Sequence, residues 1–505
     1  MVNLITRYKK TTAFMAGILS VAMFAPYFQV WAGVIGFSVL LYLLLCENKA
    51  KELFKIGYAF GFAHFAIGFS WVGNALLIDA ERFGWLYPIT LLAAGSFFGL
   101  FAAVPALMVV KGRTVLGKWL LFCGAWVVCE WIRSFLLTGF PWNLAGYSLA
   151  FDLPMIQNAA IGGVYLTSLL VIVLYSMGGL WLYRHSTKSF IFTVIMAALL
   201  ISLSWGWGYW RLQNKKNLLT DTIVRIVQPS IPQTMKWTKE SAENNFNTYV
   251  DLSKTASDTK PDMIIWGETA SPFRLDEDDF HRNVAAAMLP KGSVLLTGMI
   301  SYQYNKGFYR PHNSLVVLND KGEIEWYYHK THLVPFGEYI PLREYLPDFI
   351  RPVANAIGQL GKGDGAKVWQ REGLPSIGGV ICYEIIFPYE IVDEKNRPDV
   401  IVNVTNDGWY GESSGPYQHW VAAKFRAIEE GITVVRSANN GLSGMINAYG
   451  EEKGVLKLNY SGISDIKLEK SLGEITTYSR YGNIISLILC LILMLAGFIK
   501  SKDEL

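Results

Sequence analysis

Apolar runs near the length that crosses a bilayer crowd the first 210 residues of this chain and leave it few ways to fold. A helix needs about 20 predominantly apolar residues to span the hydrocarbon core. Seven such runs precede residue 210, at roughly 11–28, 30–46, 54–78, 84–110, 117–137, 163–183 and 189–209, and an eighth lies at roughly 482–499. Backbone polar groups find no water in lipid, so these runs must satisfy their hydrogen bonds internally, as helices. The expectation is a multi-pass α-helical membrane protein of about eight spans. Arg7, Lys9 and Lys10 before the first run also fit a signal peptide, but no small-residue cleavage site is clear and further runs follow at once.

Charge between the runs alternates. Arg7, Lys9 and Lys10 precede the first, Lys49, Lys51 and Lys55 separate the second and third, Lys111, Arg113 and Lys118 the fourth and fifth, Arg184 and Lys188 the sixth and seventh, and Lys500 and Lys502 follow the eighth. The intervening loops carry little Lys or Arg, with Gln29 in one and Asp79, Glu81 and Arg82 in another. Basic loops stay in the cytoplasm. Eight spans then put both termini inside and the polar stretch between the seventh and eighth outside. The final Lys502-Asp503-Glu504-Leu505 has the form of a lumenal retrieval signal, which this topology would leave facing the cytosol. Charged residues make up only 17% of the chain and no long basic run accompanies the net charge of +4, so nucleic acid is not an expected partner. The segment from Glu130 to Gly163 is rich in aromatics (Trp131, Phe135, Phe140, Trp142, Tyr147, Phe151) and reads either as an interfacial belt or as a surface that admits a lipid tail. Glu130 beside Arg133 reads either as an interfacial pair or as an intramembrane functional group.

Composition divides the chain into a seven-span membrane domain at 1–212, a polar domain at 213–480, and an eighth span with a short tail at 481–505. The polar domain has the size and alternation of one α/β unit. Its strand candidates are Thr222–Val227, Met263–Trp266, Ser293–Thr297, Gly378–Cys382 and Val400–Val404, with a hairpin turning at Asn319–Gly322. Residues 417–430 have helical spacing, closed by Gly431. Four of the five cysteines lie in or beside apolar runs; Cys382 stands alone in the polar domain, so no disulfide framework forms there.

Three polar residues follow strand candidates directly: Glu268, Lys330 and Cys382. Strand ends of an open α/β sheet are where sites assemble. A thiol with a pKa near 8.5 is mostly protonated at neutral pH. A carboxylate can take its proton, and an ammonium can steady the oxyanion formed when the sulfur attacks a carbonyl. Each residue also has a plain structural reading, as a cap, a surface charge or a buried inert thiol, and spacing does not decide between them.

The surrounding words carry a resemblance. Trp266-Gly-Glu-Thr-Ala270, His329-Lys-Thr-His-Leu-Val-Pro-Phe-Gly-Glu338 and Ile381-Cys-Tyr-Glu-Ile-Ile-Phe-Pro388 resemble the three signature blocks of the nitrilase superfamily. With Gln228–Gln233, Thr405–Gly411, Arg436–Gly441, Thr138–Trp142 and Thr477–Asn483, the chain is similar to the membrane-bound branch of that superfamily, the apolipoprotein N-acyltransferases. The resemblance covers nearly the whole chain. It implies an αββα sandwich for the polar domain, with Glu268 as general base, Lys330 as transition-state stabiliser and Cys382 as acylated nucleophile. Glu338 matches a supporting glutamate, Tyr383 and Glu384 match residues flanking the nucleophile, Trp237 matches an aromatic near the phospholipid, and Asn313 and Trp409 match further pocket residues. One departure is visible: the base block usually reads Trp-Pro-Glu, and Gly267 here loosens the backbone before Glu268.

The resemblance further implies a reaction in two halves, in the bacterial inner membrane with the polar domain in the periplasm. A phospholipid, phosphatidylethanolamine foremost, acylates Cys382; the free α-amino group of a diacylglyceryl-modified apolipoprotein then takes the acyl chain. No cofactor, metal or second protomer is called for. Two rivals remain at this stage. A tethered amidase or nitrile-type hydrolase uses the same trio with water as acceptor, but needs far fewer spans. A transporter predicts charge and internal repeats in the spans, which this sequence lacks.

Overall fold

The computed structural model describes residues 7–305, 308–341, 343–345 and 359–499. Its contacts divide the chain into two units: one runs up to Lys215 and resumes at Thr476, and the other is Lys216–Ile475.

In the first unit every apolar run carries helix, but the lengths differ. Helices Ala80–Lys111, Val115–Arg133, Ala159–Arg184 and Thr187–Gln213, of 32, 19, 26 and 27 residues, are long and apolar enough to cross a bilayer. The pair Ala50–Gly68 and Ser70–Leu77, bent by 41°, makes a fifth if it is one span. Val30–Leu45 and Ile484–Gly497 are apolar but only 16 and 14 residues long, and Lys9–Ser20 only 12. Pro26 lies inside the first run and cannot continue a helix. Helix length among the described residues therefore gives four or five spans, not the expected eight. Lys500, Lys502 and the tail to Leu505 lie outside the described residues.

Lipid offers no hydrophobic drive between helices, so close packing rests on small residues. Gly57 and Gly61, one turn apart, let helix Ala50–Gly68 approach the Gly99–Ala106 stretch: a Cβ on Gly57 would stand 2.4 Å from Ala106 Cβ, and one on Gly61 2.5 Å from Ala102 Cβ. Glu130 and Arg133 are buried, at 5% and 2% exposure. They fasten the aromatic segment to helix Val115–Arg133. Glu130 Oε1 accepts from the Ala145 N–H (2.8 Å), and Arg133 Nη1 donates to the carbonyls of Phe140 (2.8 Å) and Trp142 (2.7 Å).

The second unit holds two six-stranded sheets. In chain order the strands are β1 (Leu219–Gln228), β2 (Met263–Ile265), β3 (Val294–Asn305), β4 (Phe308–Asn319), β5 (Ile324–His329), β6 (Val368–Trp369), β7 (Ile377–Ile381), β8 (Val400–Thr405), β9 (Thr433–Ala438), β10 (Ser443–Ile446), β11 (Glu452–Leu456) and β12 (Gly462–Glu469). The sheet orders are β12-β1-β2-β3-β4-β5 and β11-β10-β9-β8-β7-β6. Each has a parallel centre, β1-β2-β3 in one and β7-β8-β9 in the other, with antiparallel flanks.

Side chains alternate across each strand. Met263 and Ile265 join Val224, Ile226, Val400, Val402 and Val404 in the core between the sheets. Ile264 and Trp266 face the other way, against Phe246, Tyr249 and Val250 of helix Lys239–Ser253 and Ala285 of helix Asp279–Ala287. Helix Gly415–Glu430 packs against β9 and β10 and ends at Gly431, whose φ of 64° provides the left-handed cap. The layers are helix, sheet, sheet, helix. Strands buried on both faces read as unbroken apolar runs, which is why β2, β7 and β8 were visible in the sequence. The expected turn at Asn319–Gly322 joins β4 and β5, and Asn319 Oδ1 accepts from the N–H groups of Lys321 and Glu323.

Candidate active site

Parallel strands present their carboxyl ends on one edge, and the three sequence candidates stand there. Cys382 follows β7 directly and opens a short 3₁₀ turn, Cys382–Ile386. Its φ of 51° is left-handed, a conformation a residue with a Cβ keeps only when its surroundings enforce it. Glu268 stands three residues past β2 and Lys330 one past β5. All three are buried, at 5%, 6% and 1% exposure.

Lys330 Nζ donates to Glu338 Oε1 at 2.9 Å and to Glu268 Oε1 at 3.4 Å. Asn313, on β4, bridges the same two oxygens from its Nδ2, at 2.8 Å to Glu268 and 3.2 Å to Glu338. Both partners are carboxylates that accept, which fixes the amide's orientation. Glu338 Oε2 accepts from the Val334 N–H at 2.8 Å, so the second glutamate is held at both oxygens. Burial alone would pull Lys330 down; Glu338 and then Glu268 outweigh it, and its pKa is raised. Cys382 is pushed up to about 12, first by burial and then by the charge of Glu268, against the opposing effects of Lys330 and Thr405. Such a thiol is inert at neutral pH until a base takes its proton as it attacks.

Glu384 is buried, and burial raises its pKa. Its Oε1 accepts from the N–H (2.5 Å) and hydroxyl (2.8 Å) of Thr331 and from the His332 N–H (3.1 Å). Its Oε2 accepts from the Ile381 N–H (2.6 Å) and the Tyr328 hydroxyl (2.8 Å). One side chain thus ties the turn bearing the thiol to the loop bearing the ammonium. Tyr383 is buried edge-on to Phe387, with ring centroids 5.1 Å apart. Trp237 is 38% exposed and Trp409 half-buried; among the described residues no hydrogen bond joins either to the Glu268–Lys330 cluster.

A further group had no sequence signal beyond its motifs. Asp407, His419 and Arg436 come from the turn after β8, from helix Gly415–Glu430 and from β9, and all are fully buried. Arg436 Nη2 reaches Asp407 Oδ2 at 2.9 Å, and His419 Nδ1 lies 2.9 Å from Asp407 Oδ1. His419 Nε2 lies 3.1 Å from the Cys382 carbonyl. A carbonyl only accepts, so Nε2 carries a proton and donates, holding the backbone of the strained residue. Burial pushes Asp407 up, but Arg436 and His419 more than reverse it and hold its pKa below the ordinary value. Such residues, 12 and 17 apart in the chain, are brought together only by the fold.

The chain matches two family models: an apolipoprotein N-acyltransferase N-terminal domain over residues 16–177 and a carbon-nitrogen hydrolase over residues 223–469. Curated relatives named apolipoprotein N-acyltransferase include one from Rickettsia prowazekii, 34% identical and covering 97% of this chain and 98% of its own. Another, from Brucella melitensis, is 35% identical over 90% of this chain and 88% of its own. Among solved structures, an amidase from Neterenkonia sp. aligns at a TM-score of 0.37 and 16% identity, over 49% of this chain and 92% of that one. At that level of identity and near-complete coverage by its relatives, the chain belongs to the apolipoprotein N-acyltransferase family.

Proposed function

We propose that this protein transfers an acyl chain from a phospholipid, phosphatidylethanolamine foremost, to the α-amino group of the N-terminal S-diacylglyceryl-cysteine of apolipoproteins, through a thioester on Cys382. In the first half, Glu268 takes the thiol proton as the sulfur attacks the ester carbonyl, and Lys330 faces the oxyanion. Collapse breaks the ester C–O bond; the leaving oxygen takes the proton from Glu268, and lysophospholipid departs. In the second half the amine nitrogen attacks the thioester and Glu268 takes its proton. The C–S bond breaks, and the proton returns to sulfur as the amide leaves. An α-amine with a pKa near 8 is partly neutral and nucleophilic at working pH.

The observation that carries this reading is the junction of Glu268, Lys330 and Glu338 through shared hydrogen bonds at the strand ends beside a buried thiol. Glu338 and Asn313 hold the base and the ammonium in place, Glu384 and Tyr383 fix the turn of the nucleophile, and Trp237 and Trp409 meet the lipid. We place the enzyme as a monomer in the bacterial inner membrane, with about eight spans, cytoplasmic termini and a periplasmic catalytic domain. Helices shorter than a bilayer would complete that count by tilting little and thinning the lipid around them.

The test is the intact mass of the detergent-purified protein after incubation with phosphatidylethanolamine. Wild type is expected to gain one acyl mass that hydroxylamine or a diacylglyceryl-cysteine peptide removes, and Cys382→Ala to gain none. Rapid discharge by water alone would favour the hydrolase reading, and no adduct with any phospholipid would end the thioester reading.

A further inference from the structure

The turn Gln233–Trp237 is folded inside out. Met235 and Trp237 are exposed at 44% and 38%, while Lys236 between them, the charged member of the turn, is buried at 7%. Burying an ammonium is costly, and exposing the apolar neighbours forgoes their burial. A local rule broken in both directions marks a site rather than a core.

The surrounding bonds enforce the inversion. Asn406 Nδ2 donates to Gln233 Oε1 (2.8 Å), Asn245 Nδ2 donates to the Met235 carbonyl (3.0 Å), and Asn439 brackets Ile231 through both its N–H (3.1 Å) and its carbonyl (2.8 Å). The Lys236 ammonium is thereby delivered to the backbone carbonyl of Glu268, at 2.7 Å. That is its one hydrogen bond among the described residues, and no carboxylate pairs with it there. Glu268 is clamped on its other side by its own N–H, which donates to the Thr405 carbonyl at 3.3 Å. Gly267 precedes it; its carbonyl accepts from the Gly298 N–H at 3.2 Å, and glycine adds no stiffness of its own.

The charges around Glu268 also need balancing. Two carboxylates, Glu268 and Glu338, share the single ammonium of Lys330. We propose that Lys236 is the second cation of the acyl-transfer site: a positioning residue that locks the backbone of Glu268 where Gly267 leaves it loose, and whose charge favours the ionised form of Cys382. This rests on the acyl-transfer reading. Burial lowers the pKa of Lys236 to about 8, against the pull of Glu268 and Cys382, the two ionisable groups that face it, so it keeps its charge at neutral pH. Lys330, Asp407 and Tyr410 are the other ionisable groups acting on Cys382.

The experiment uses the full-length protein in detergent, with Lys236→Met, Lys236→Gln and Lys236→Arg, each checked for a wild-type unfolding midpoint. The readout is the rate of iodoacetamide alkylation from about pH 6 to about pH 7.5, below the pKa of Lys236, so that wild type still carries the charge the uncharged variants lack. It is scored on the Cys382 peptide because Cys46 is also accessible in part. Loss of the charge is expected to move the alkylation profile of Lys236→Met up, slowing it about tenfold at a fixed pH, the equivalent of one pKa unit. Lys236→Arg is expected to restore the profile, and Lys236→Gln is expected to fall between the two. Acyl transfer should fall in the same order, in the turnover number more than in the Michaelis constant. A wild-type alkylation profile in any folded variant without the charge would overturn the proposal. If Lys236→Met and Lys236→Gln do not fold, Lys236→Arg decides: a wild-type profile supports the proposal, and a tenfold loss despite the retained charge overturns it. Wild-type protein that alkylates at Cys382 but takes up no acyl mass defeats the acyl-transfer reading and leaves this test intact.

Discussion

Burial and the Glu268 carboxylate both oppose ionisation of Cys382, and removing one of them should have an observable sign. With its pKa near 12, the thiol should alkylate at neutral pH about a hundredfold or more slowly than a free cysteine, whose pKa is near 8.5. Glu268→Gln removes a neighbouring negative charge, so the thiol pKa falls and alkylation should quicken. The same change removes the proposed base, so acyl transfer should drop by about a hundredfold or more. Opposite responses in the two assays separate the base from a structural prop; a fall in both would mean that Glu268 acts only by packing. Glu268, Lys330 and Cys382 were legible in the sequence because each follows an apolar strand and sits in a distinctive block. Asn313 was legible only through the resemblance: it lies mid-strand on β4, and its bond to Glu268 depends on register. Lys236 was hidden beside Trp237, since nothing in a sequence shows that a turn buries its lysine and exposes its neighbours.

Arg436 on β9 stabilises three elements at once. It donates to Asn403 Oδ1 on β8 (2.5 Å), pairs with Asp407 in the turn beyond, and lies 2.9 Å from His419 Nδ1 on helix Gly415–Glu430. Removing one member of a buried pair leaves an uncompensated charge, worth about 3–5 kcal/mol of stability. Arg436→Met should lower the thermal unfolding midpoint accordingly, and the pH dependence of the loss has a definite direction. In wild type the pKa of Asp407 is held low, so its contribution is full above its unfolded value of about 3.9 and fades as pH falls through the folded value. Without Arg436 burial prevails and the folded pKa moves up, so protonation relieves the variant. The deficit should therefore shrink as pH is lowered toward about 4. A deficit constant from neutral pH to that point would show that Arg436 acts through packing alone. Of the strands at this junction β8 was readable as a continuous apolar run, whereas β9, which carries Arg436 and Ser437, and β10, β11 and β12 were not. β11 is mostly exposed and carries Glu452 and Lys453, so no apolar run announces it.

For the molecule as a whole, the alternation of basic loops and the contacts of the first unit bear on the same question. Lys9 pairs with Glu47 at 3.0 Å and Lys10 with Glu52 at 3.2 Å, and Lys118 Nζ donates to Asn48 Oδ1 at 3.1 Å. The start of the first helix, the loop before Ala50 and the first turn of helix Val115–Arg133 thus meet at one end of the bundle. Helix length is the weaker guide, because 16 residues rise only about 24 Å against a core of about 30 Å. Whether the chain crosses the bilayer an odd number of times between Lys51 and Asp258 is settled by the sides on which those two residues lie. Single cysteines at Lys51 and at Asp258, in a chain otherwise free of reactive thiols, test the side directly. In cells with a permeabilised outer membrane, an impermeant maleimide is expected to label Asp258→Cys at once and Lys51→Cys only after the inner membrane is opened. Labelling of both from outside would mean an even number of crossings between the two residues and would overturn the alternating-loop topology. Labelling of neither until lysis would put Asp258 on the cytoplasmic side and overturn the proposed periplasmic acyl transfer.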